Sequence, residues 1–190
     1  MTIDRTALLA LTDDDGSNTV GSVVTKAVLG SVIFDPIDAA ILGGTPRTCR
    51  VGNASGTQNI PAGVVTPITF ATEAFDATGM HDPAVNPSRL TAIVAGTYLA
   101  AGGVYWTPSV IDSATLFLLR LAKNGTLIDG ARSYYPPVSS MAGNGLGQNI
   151  TAIIDLTAGQ YVTLDVFHDS IGARTVTLAS CSLQLVYLGP

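Results

Sequence analysis

Two histidines, each followed directly by an aspartate, are the residues best able to carry acid-base or metal chemistry in this chain. The pairs are His81-Asp82 and His168-Asp169, and the sequence contains only these two histidines. Imidazole and carboxylate groups bind metals and exchange protons near neutral pH. Both pairs fall at the ends of predicted strands, however, where polar turn residues are common for structural reasons. We therefore expect both histidines to be structural, and we predict no catalytic residue, cofactor or metal site.

The other candidate motifs lack the spacing that their chemistry requires. Asp13-Asp14-Asp15 begins like a calcium loop, but the alternating oxygen ligands and final glutamate of an EF-hand do not follow. Ser139-Ser140 has no nucleophile-elbow pattern, and the glycines of 144–147 follow no Rossmann strand. Glycoside hydrolysis needs two carboxylates in one groove, and Glu73 and Asp76 are the candidates closest in sequence.

The composition limits the kinds of partner. Charged residues make up 12% of the 190 residues, about half of the roughly 25% usual in soluble domains. The net charge is -5 without a basic field, so nucleic acid is not an expected partner. No run of 18 apolar residues occurs, which predicts no membrane insertion. The short apolar run at 6–11 ends at Asp13 and does not make a signal peptide.

From Arg47 onward the hydrophobic period is two, which indicates β-strands. Asn124-Gly125 predicts a two-residue hairpin because both residues tolerate the positive φ of a type I′ turn. Pro67 suits an edge strand or a bulge. The predicted strands cover 64–72, 89–94, 97–106, 115–122, 126–133, 148–156, 160–168 and 175–188. Short strands at regular spacing predict an all-β fold, an antiparallel jelly-roll β-sandwich of 8–10 strands.

Residues 1–45 differ from the rest in charge and in helix signals. Ser17 or Asn18 can cap a helix, and Asp35-Pro36 reads as the start of a second helix that stops at Gly43-Gly44. We predict a short, partly helical N-terminal segment at 1–45, and one domain at 46–190. In the N-terminal segment, the apolar positions predicted to form the attachment surface are Val20, Val24, Val28, Ile37 and Ile41.

Six local signatures in the second part follow one another in an order known from one family. They are 58–63 (QNIPAG), 75–83, 95–98, 123–126, 158–162 and 185–189. In this order they resemble the complement-one-q-like jelly roll, the fold shared with the tumour necrosis factor superfamily. Ala100 departs from the family motif G-x-Y-x-F, which carries an aromatic residue there. The resemblance covers about 70% of the chain and implies a homotrimeric binding or structural head.

The N-terminal residues, such as 3–9, 13–17 and 35–39, resemble leader segments of bacteriophage virion proteins. The two resemblances together imply a non-enzymatic virion structural protein, such as a head fibre, decoration protein or tail appendage. Residues 1–45 would bind another capsid or tail protein, and the head would face outward, with a host surface glycan or protein as a further partner. The alternatives are a carbohydrate-active jelly-roll enzyme and a bacterial surface or spore-coat head. The expected location is the virion.

Four aromatic residues are candidates for an interface or binding surface, since Tyr and Trp combine contact area with a polar tip. They are Tyr105, Trp106, Tyr134 and Tyr135; Tyr134 and Tyr135 belong to a predicted exposed loop, and filling the ends of the sandwich is the alternative role of all four. Cys49 and Cys181 are too few for a disulfide framework, and we expect both to be buried. In the family fold they lie on neighbouring strands, which leaves a bond between them open.

Overall fold

The structure, a computed structural model, describes residues 47–108, 115–138 and 145–190. The predicted N-terminal segment at 1–45 and its attachment residues Val20, Val24, Val28, Ile37 and Ile41 lie outside this part. The described residues form twelve strands and one 3-10 turn, Leu178–Ser180. The strands are β1 (Thr48–Gly52), β2 (Thr57–Ile60), β3 (Thr66–Pro67), β4 (Thr72–Asp76), β5 (Leu90–Thr91), β6 (Gly96–Trp106), β7 (Thr115–Lys123), β8 (Thr126–Val138), β9 (Leu146–Leu156), β10 (Tyr161–His168), β11 (Arg174–Thr177) and β12 (Ser182–Gly189).

The strands form two antiparallel sheets. The seven-stranded sheet has the order β2-β11-β6-β12-β1-β4, and β9 pairs with β6 along its whole length. The five-stranded sheet has the order β3-β10-β7-β8, and β5 pairs with β10. Ten of the twelve strands have four or more residues. The predicted all-β antiparallel jelly-roll sandwich of 8–10 strands is therefore confirmed.

Alternation along the strands places one face of each sheet in the core. On β6 the core side chains include Tyr98, Ala100 and Trp106, and on β10 they include Val162, Leu164 and Val166. Thr163 and Asp165, on the other face of β10, are buried as well. The Asn124-Gly125 turn forms as predicted, with positive φ at both residues (50° and 78°), and it joins β7 to β8. These two sheets enclose one hydrophobic core.

Two connections differ from the simplest interpretation of the sequence. The predicted closing strand at 175–188 is two strands, because the 3-10 turn at Leu178–Ser180 interrupts it. Both halves follow the same edge of β6, with Val176 opposite Trp106 and Ser182 opposite Gly103, so three extra residues bulge out between them. The interruption lets β11 pair with β2 while β12 pairs with β1. The turn at 157–159 carries the chain from one sheet to the other.

Gly96 shows why one of the sequence signatures requires its glycine. Its φ of 153° is rarely adopted by residues with a side chain. A Cβ at this position would collide with the carbonyl oxygen of Gly189 and the ring of Tyr187. The strand entry at 95–98 therefore depends on close approach of the last strand.

In the described part of the chain, no helix has the length and hydropathy to cross a bilayer.

Candidate functional site

His81 lies in the loop between β4 and β5 and makes two hydrogen bonds. Its Nδ1 is 3.0 Å from Oε1 of Glu73, and its Nε2 is 3.2 Å from the carbonyl oxygen of Pro87. The His81 side chain is fully buried, while one third of the Glu73 side chain is exposed. Both ring nitrogens are occupied within the chain, so the arrangement joins the loop to β4.

His168 is fully buried between the two sheets. Its Nε2 donates to the carbonyl oxygen of Ile60 (2.9 Å), so Nδ1 accepts from the hydroxyl of Ser170 (2.7 Å). Nε of Arg174 donates to the same Ser170 oxygen (2.9 Å). Burial, followed by the charge of Arg174, lowers the pKa of His168, although the bond to Ile60 acts against this. The ring is a neutral structural link from β10 to β2 and β11.

The two acids closest in sequence, Glu73 and Asp76, are both engaged in local structure. Asp76 accepts from three backbone amides: Thr78 (3.3 Å) and Met80 (3.0 Å) at Oδ1, and His81 (2.8 Å) at Oδ2. Because Glu73 bonds His81, both carboxylates order the same loop. Among the described residues, no group of three or more His, Cys, Asp or Glu side chains could hold a metal ion.

Both cysteines are free and buried, and they lie too far apart to be bonded. Gly52 on β1 is opposite Ser182 on β12. Cys181 therefore lies four residues along the ladder from Cys49, about 13 Å away at strand spacing, whereas a disulfide needs Cα atoms within about 7 Å. The bond that the sequence left open is excluded. Burial, followed by the charges of Asp76 and Glu73, raises the pKa of Cys49 to about 12, so the thiol is a poor nucleophile.

Trp106 was predicted as an interface residue, and this prediction is wrong. The side chain is fully buried, its Nε1 donates to Oε1 of Gln148 (2.9 Å), and its ring contacts Phe117 and His168 edge to face. Trp106 fills space between the two sheets, which agrees with the alternative role given above for the four aromatic residues. Tyr105 points to the other side of β6, and its hydroxyl accepts from the amide of Gly145 (3.0 Å).

Tyr134 and Tyr135 lie on strand β8 and not in the predicted loop. Tyr134 is opposite Leu118 and Tyr135 is opposite Phe117, so the two tyrosines start from opposite faces of the strand. Both remain surface residues, with 51% and 37% exposed. Their role as binding residues stays a prediction.

The outward face of the seven-stranded sheet is nearly free of charge. Its charged side chains among the described residues are Arg50 on β1 and Asp155 near the end of β9, and Asp155 accepts from the Thr97 hydroxyl (2.8 Å). Ile153 on β9 is 68% exposed. Beside it, a groove of about 370 Å³ between β8 and β9 is lined by apolar residues such as Ile128 and Ile154 and by the charged residues Lys123, Asp129 and Asp155. We call this surface the neutral face: Thr97, Leu99, Ala101 and Gly103 on β6, Asn149, Thr151 and Ile153 on β9, and Ser182, Gln184 and Val186 on β12.

The outward face of the five-stranded sheet is different. Here Arg120 lies opposite both Asp165 on β10 and Arg132 on β8. The next row places Leu118 between Phe167 and Tyr134. We call this surface the arginine face: Leu118, Arg120, Arg132, Tyr134, Asp165 and Phe167. Arg120 bonds Asp165 of its own chain.

Comparisons with known proteins bear on the fold. No protein-family model and no curated protein matches the sequence. Among solved structures, the globular domain of zebrafish complement 1qA matches with a TM-score of 0.54 and 16% identity, over 76% of this chain and 98% of that one. Eiger TNF from S. frugiperda matches with a TM-score of 0.53 and 16% identity, over 76% of this chain and 94% of that one. Murine APRIL matches with a TM-score of 0.50 and 12% identity, over 74% of this chain and 98% of that one. The fold of this chain is therefore the jelly roll of the C1q and TNF-like domains.

Proposed function

We propose that this chain is a non-enzymatic structural protein of a bacteriophage virion. In this proposal, residues 46–190 form a homotrimeric jelly-roll head, and residues 1–45 attach it to a capsid or tail protein. The observation that carries the assembly is the neutral face. The virion role is supported by the resemblance of the N-terminal residues to phage leader segments, and it comes second in strength.

The neutral face has the properties of a subunit contact. Interface cores are depleted in charged residues, and the ten residues of the neutral face include none. The two charged residues that the structure describes on the same sheet face lie next to it, Arg50 on β1 opposite Gln184 and Asp155 near the end of β9. Ile153 on one edge strand is 68% exposed, and Phe75 on the opposite edge strand is 47% exposed. Because the two edges differ, they favour a head-to-tail contact between copies, which gives a closed ring such as a trimer when the rotation between neighbours is about 120°. The groove beside Ile153 provides a place for a side chain of the next copy.

The assembly is tested by the mass of the full chain in solution. We expect light scattering at micromolar concentration to give three times the chain mass of 19.5 kDa. Ile153→Asp should convert the trimer to monomers, because the substitution places a charge inside the contact. Ile171→Asp is the matched control, since Ile171 is 81% exposed in the connection between β10 and β11 and is not a residue of the neutral face, and it should leave the trimer intact. A wild-type monomer, or equal behaviour of the two variants, contradicts the proposal.

The virion role is tested on purified particles. We expect the full chain in multiples of three per particle, and electron microscopy with a labelled antibody should place it on the head or the tail. Val24→Asp in the predicted apolar stripe should abolish incorporation while the purified chain remains a trimer. Incorporation at the wild-type level would contradict the attachment role of 1–45. Competition of the purified trimer with intact particles for host cells tests contact with the host.

No observation favours the carbohydrate-active enzyme. Both candidate carboxylates are engaged in ordering one loop, Glu73 by His81 and Asp76 by three backbone amides. Glu73 and Asp76 are therefore not available as the pair of carboxyl groups that the retaining and inverting mechanisms use. The expected result is no release of reducing sugar from host polysaccharide, and release above the background of a heat-treated sample would support the enzyme instead.

A further inference from the structure

We infer that the arginine face binds carboxylate-bearing saccharides. This deepens the proposed function, since it rests on the idea of an outward-facing head and gives that head a ligand class. The site combines a guanidinium that has no ion-pair partner among the described residues with an exposed aromatic ring on the outer surface of the five-stranded sheet. It is separate from the neutral face, which belongs to the opposite sheet.

The first observation is a pair of like charges placed directly opposite each other. Arg120 on β7 faces Arg132 on β8, an arrangement that costs stability when nothing compensates it. Asp165 compensates one partner, because its Oδ2 accepts from both Nε (3.2 Å) and Nη2 (3.1 Å) of Arg120. Arg132 forms no ion pair with a carboxylate among the described residues, although the charge of Asp129, three residues earlier on β8, acts on it. The six residues that define the arginine face therefore carry one more positive than negative charge.

The second observation is the orientation of Arg132. Its Nη1 donates to the hydroxyl of Tyr134, two residues further along the same strand (3.1 Å). This bond directs the guanidinium toward the exposed edge of the ring and leaves its other donors available. Guanidinium groups bind carboxylates through two parallel hydrogen bonds. An anion bound by Arg132 would therefore lie beside the Tyr134 ring.

The third observation is the apolar row next to these charges. Tyr134 is 51% exposed, and the row continues through Leu118 to Phe167. A pyranose ring has an apolar face of C–H groups that can cover such an aromatic surface, while its hydroxyl groups stay in water. A ligand with one carboxylate and one apolar ring face matches both parts of the site. Sugar acids have both features, whereas an acidic peptide supplies carboxylates on flexible chains without the flat ring.

The experiment measures binding of the full chain by titration calorimetry at 0.15 M salt. The probes are polygalacturonate and polysialic acid, with methyl-esterified polygalacturonate as the neutral matched polymer and polyglutamate as the acidic peptide. We expect binding to at least one of the two acidic polysaccharides, and at least tenfold weaker binding to the esterified polymer and to polyglutamate. Absence of binding to both polysaccharides overturns the inference. Equal binding of polyglutamate also overturns it, because charge alone would then explain the result.

Variants locate the site. Arg132→Gln and Tyr134→Ala should each weaken binding about tenfold or more, as expected for loss of a charged hydrogen-bonding partner or of the ring surface. Tyr134→Phe keeps the ring and should stay within about threefold of wild type. Arg89→Gln is the matched control, because Arg89 also lies against a tyrosine, 4.1 Å from the centre of the Tyr161 ring, and it should bind normally. An equal loss in Arg89→Gln and Arg132→Gln contradicts the location.

Binding of a monosaccharide tests the site on the arginine face separately from the proposed trimer. Galacturonate or sialic acid alone tests one site and also shows whether a free sugar acid suffices. Ile153→Asp should bind the monosaccharide as wild type does, but should lose the additional affinity for the polymer that several linked sites provide. If the wild-type chain is a monomer that still binds the sugar acid, the trimer proposal is contradicted and the binding site on the arginine face is supported. If the chain is a trimer that does not bind the sugar acids, the trimer proposal is supported and the binding site is contradicted.

Discussion

His81 and His168 have the same local sequence, a histidine followed by an aspartate, but they lie in different surroundings. His81 joins one loop to β4 through the partly exposed carboxylate of Glu73. His168 lies between the two sheets, where its ring contacts Trp106 and Phe117. Its bond to Ile60 and the Ser170-Arg174 contact connect three strands. The comparison indicates that partners and burial, not the dipeptide, decide what each histidine contributes.

The largest expected effect is loss of the His168 side chain. His168→Leu preserves the bulk of the ring but removes the donor to the Ile60 carbonyl and the acceptor of the Ser170 hydroxyl, which keeps only its bond from Arg174 and a long contact with the Gly172 carbonyl. Each unsatisfied buried group costs about 1–3 kcal/mol, so the free energy of unfolding should fall by about 3 kcal/mol. Urea denaturation followed by the emission of Trp106, the only tryptophan, measures this at a fixed protein concentration.

Ile171→Ala serves as the control for that measurement, because the residue is 81% exposed and surface substitutions usually change stability by less than about 0.5 kcal/mol. If His168→Leu unfolds at the same urea concentration as this control, the link between the sheets through His168 is energetically unimportant. The comparison with His81 would then lose its basis.

A smaller effect is expected from pH, since it changes one proton and preserves the ring. The pKa of His168 in the folded chain lies below its ordinary value of 6.5, so the unfolded chain binds the proton more readily. Stability should therefore be complete above pH 6.5 and should fall as the pH drops below it. His168→Gln, measured by the same urea method from pH 5 to 8, should lose this part of the pH dependence.

Arg174 provides a check on whether His168 causes the loss of stability in acid. Its charge helps to lower the pKa of His168, so Arg174→Gln should reduce the loss of stability in acid, and Arg174→Lys should preserve it. A pH profile that is the same in all three proteins would assign the acid sensitivity to other groups.

The sequence contained a signal for the burial of His168 and of Trp106. On β10, every second residue from Val162 to Val166 faces the core. His168 is the next position in this alternation, so the pattern predicts that it faces the core as well. On β6, Trp106 has the same parity as Tyr98 and Ala100. Residue chemistry suggested a binding role for Trp106, and strand parity would have corrected it. The parity of Tyr105 and Tyr134 correctly places them on the outward side of their strands.

Other features could not be derived from the local sequence. The 3-10 turn at Leu178–Ser180 contains no glycine or proline, so no turn signal interrupts the predicted closing strand. The turn arises because β11 and β12 pair with different partners, β2 and β1, which is a tertiary requirement. The cross-strand contact of Arg120 with Arg132 likewise depends on register. By contrast, the Asn124-Gly125 hairpin is local, and its prediction was confirmed.

The smallest expected effect concerns the other histidine. Glu73→Gln removes the charge opposite His81 but leaves a side-chain amide that can form a hydrogen bond with Nδ1 of the ring. Because one third of the Glu73 side chain is exposed, water screens the lost charge, and the free energy of unfolding should fall by about 0.5 kcal/mol or less. His81→Ala removes both bonds of the ring and should cost more than Glu73→Gln but less than His168→Leu, because the loop after β4 can admit water to Glu73. Urea denaturation of the three variants at pH 7.5 gives the order, and a larger loss in His81→Ala than in His168→Leu would reverse the comparison.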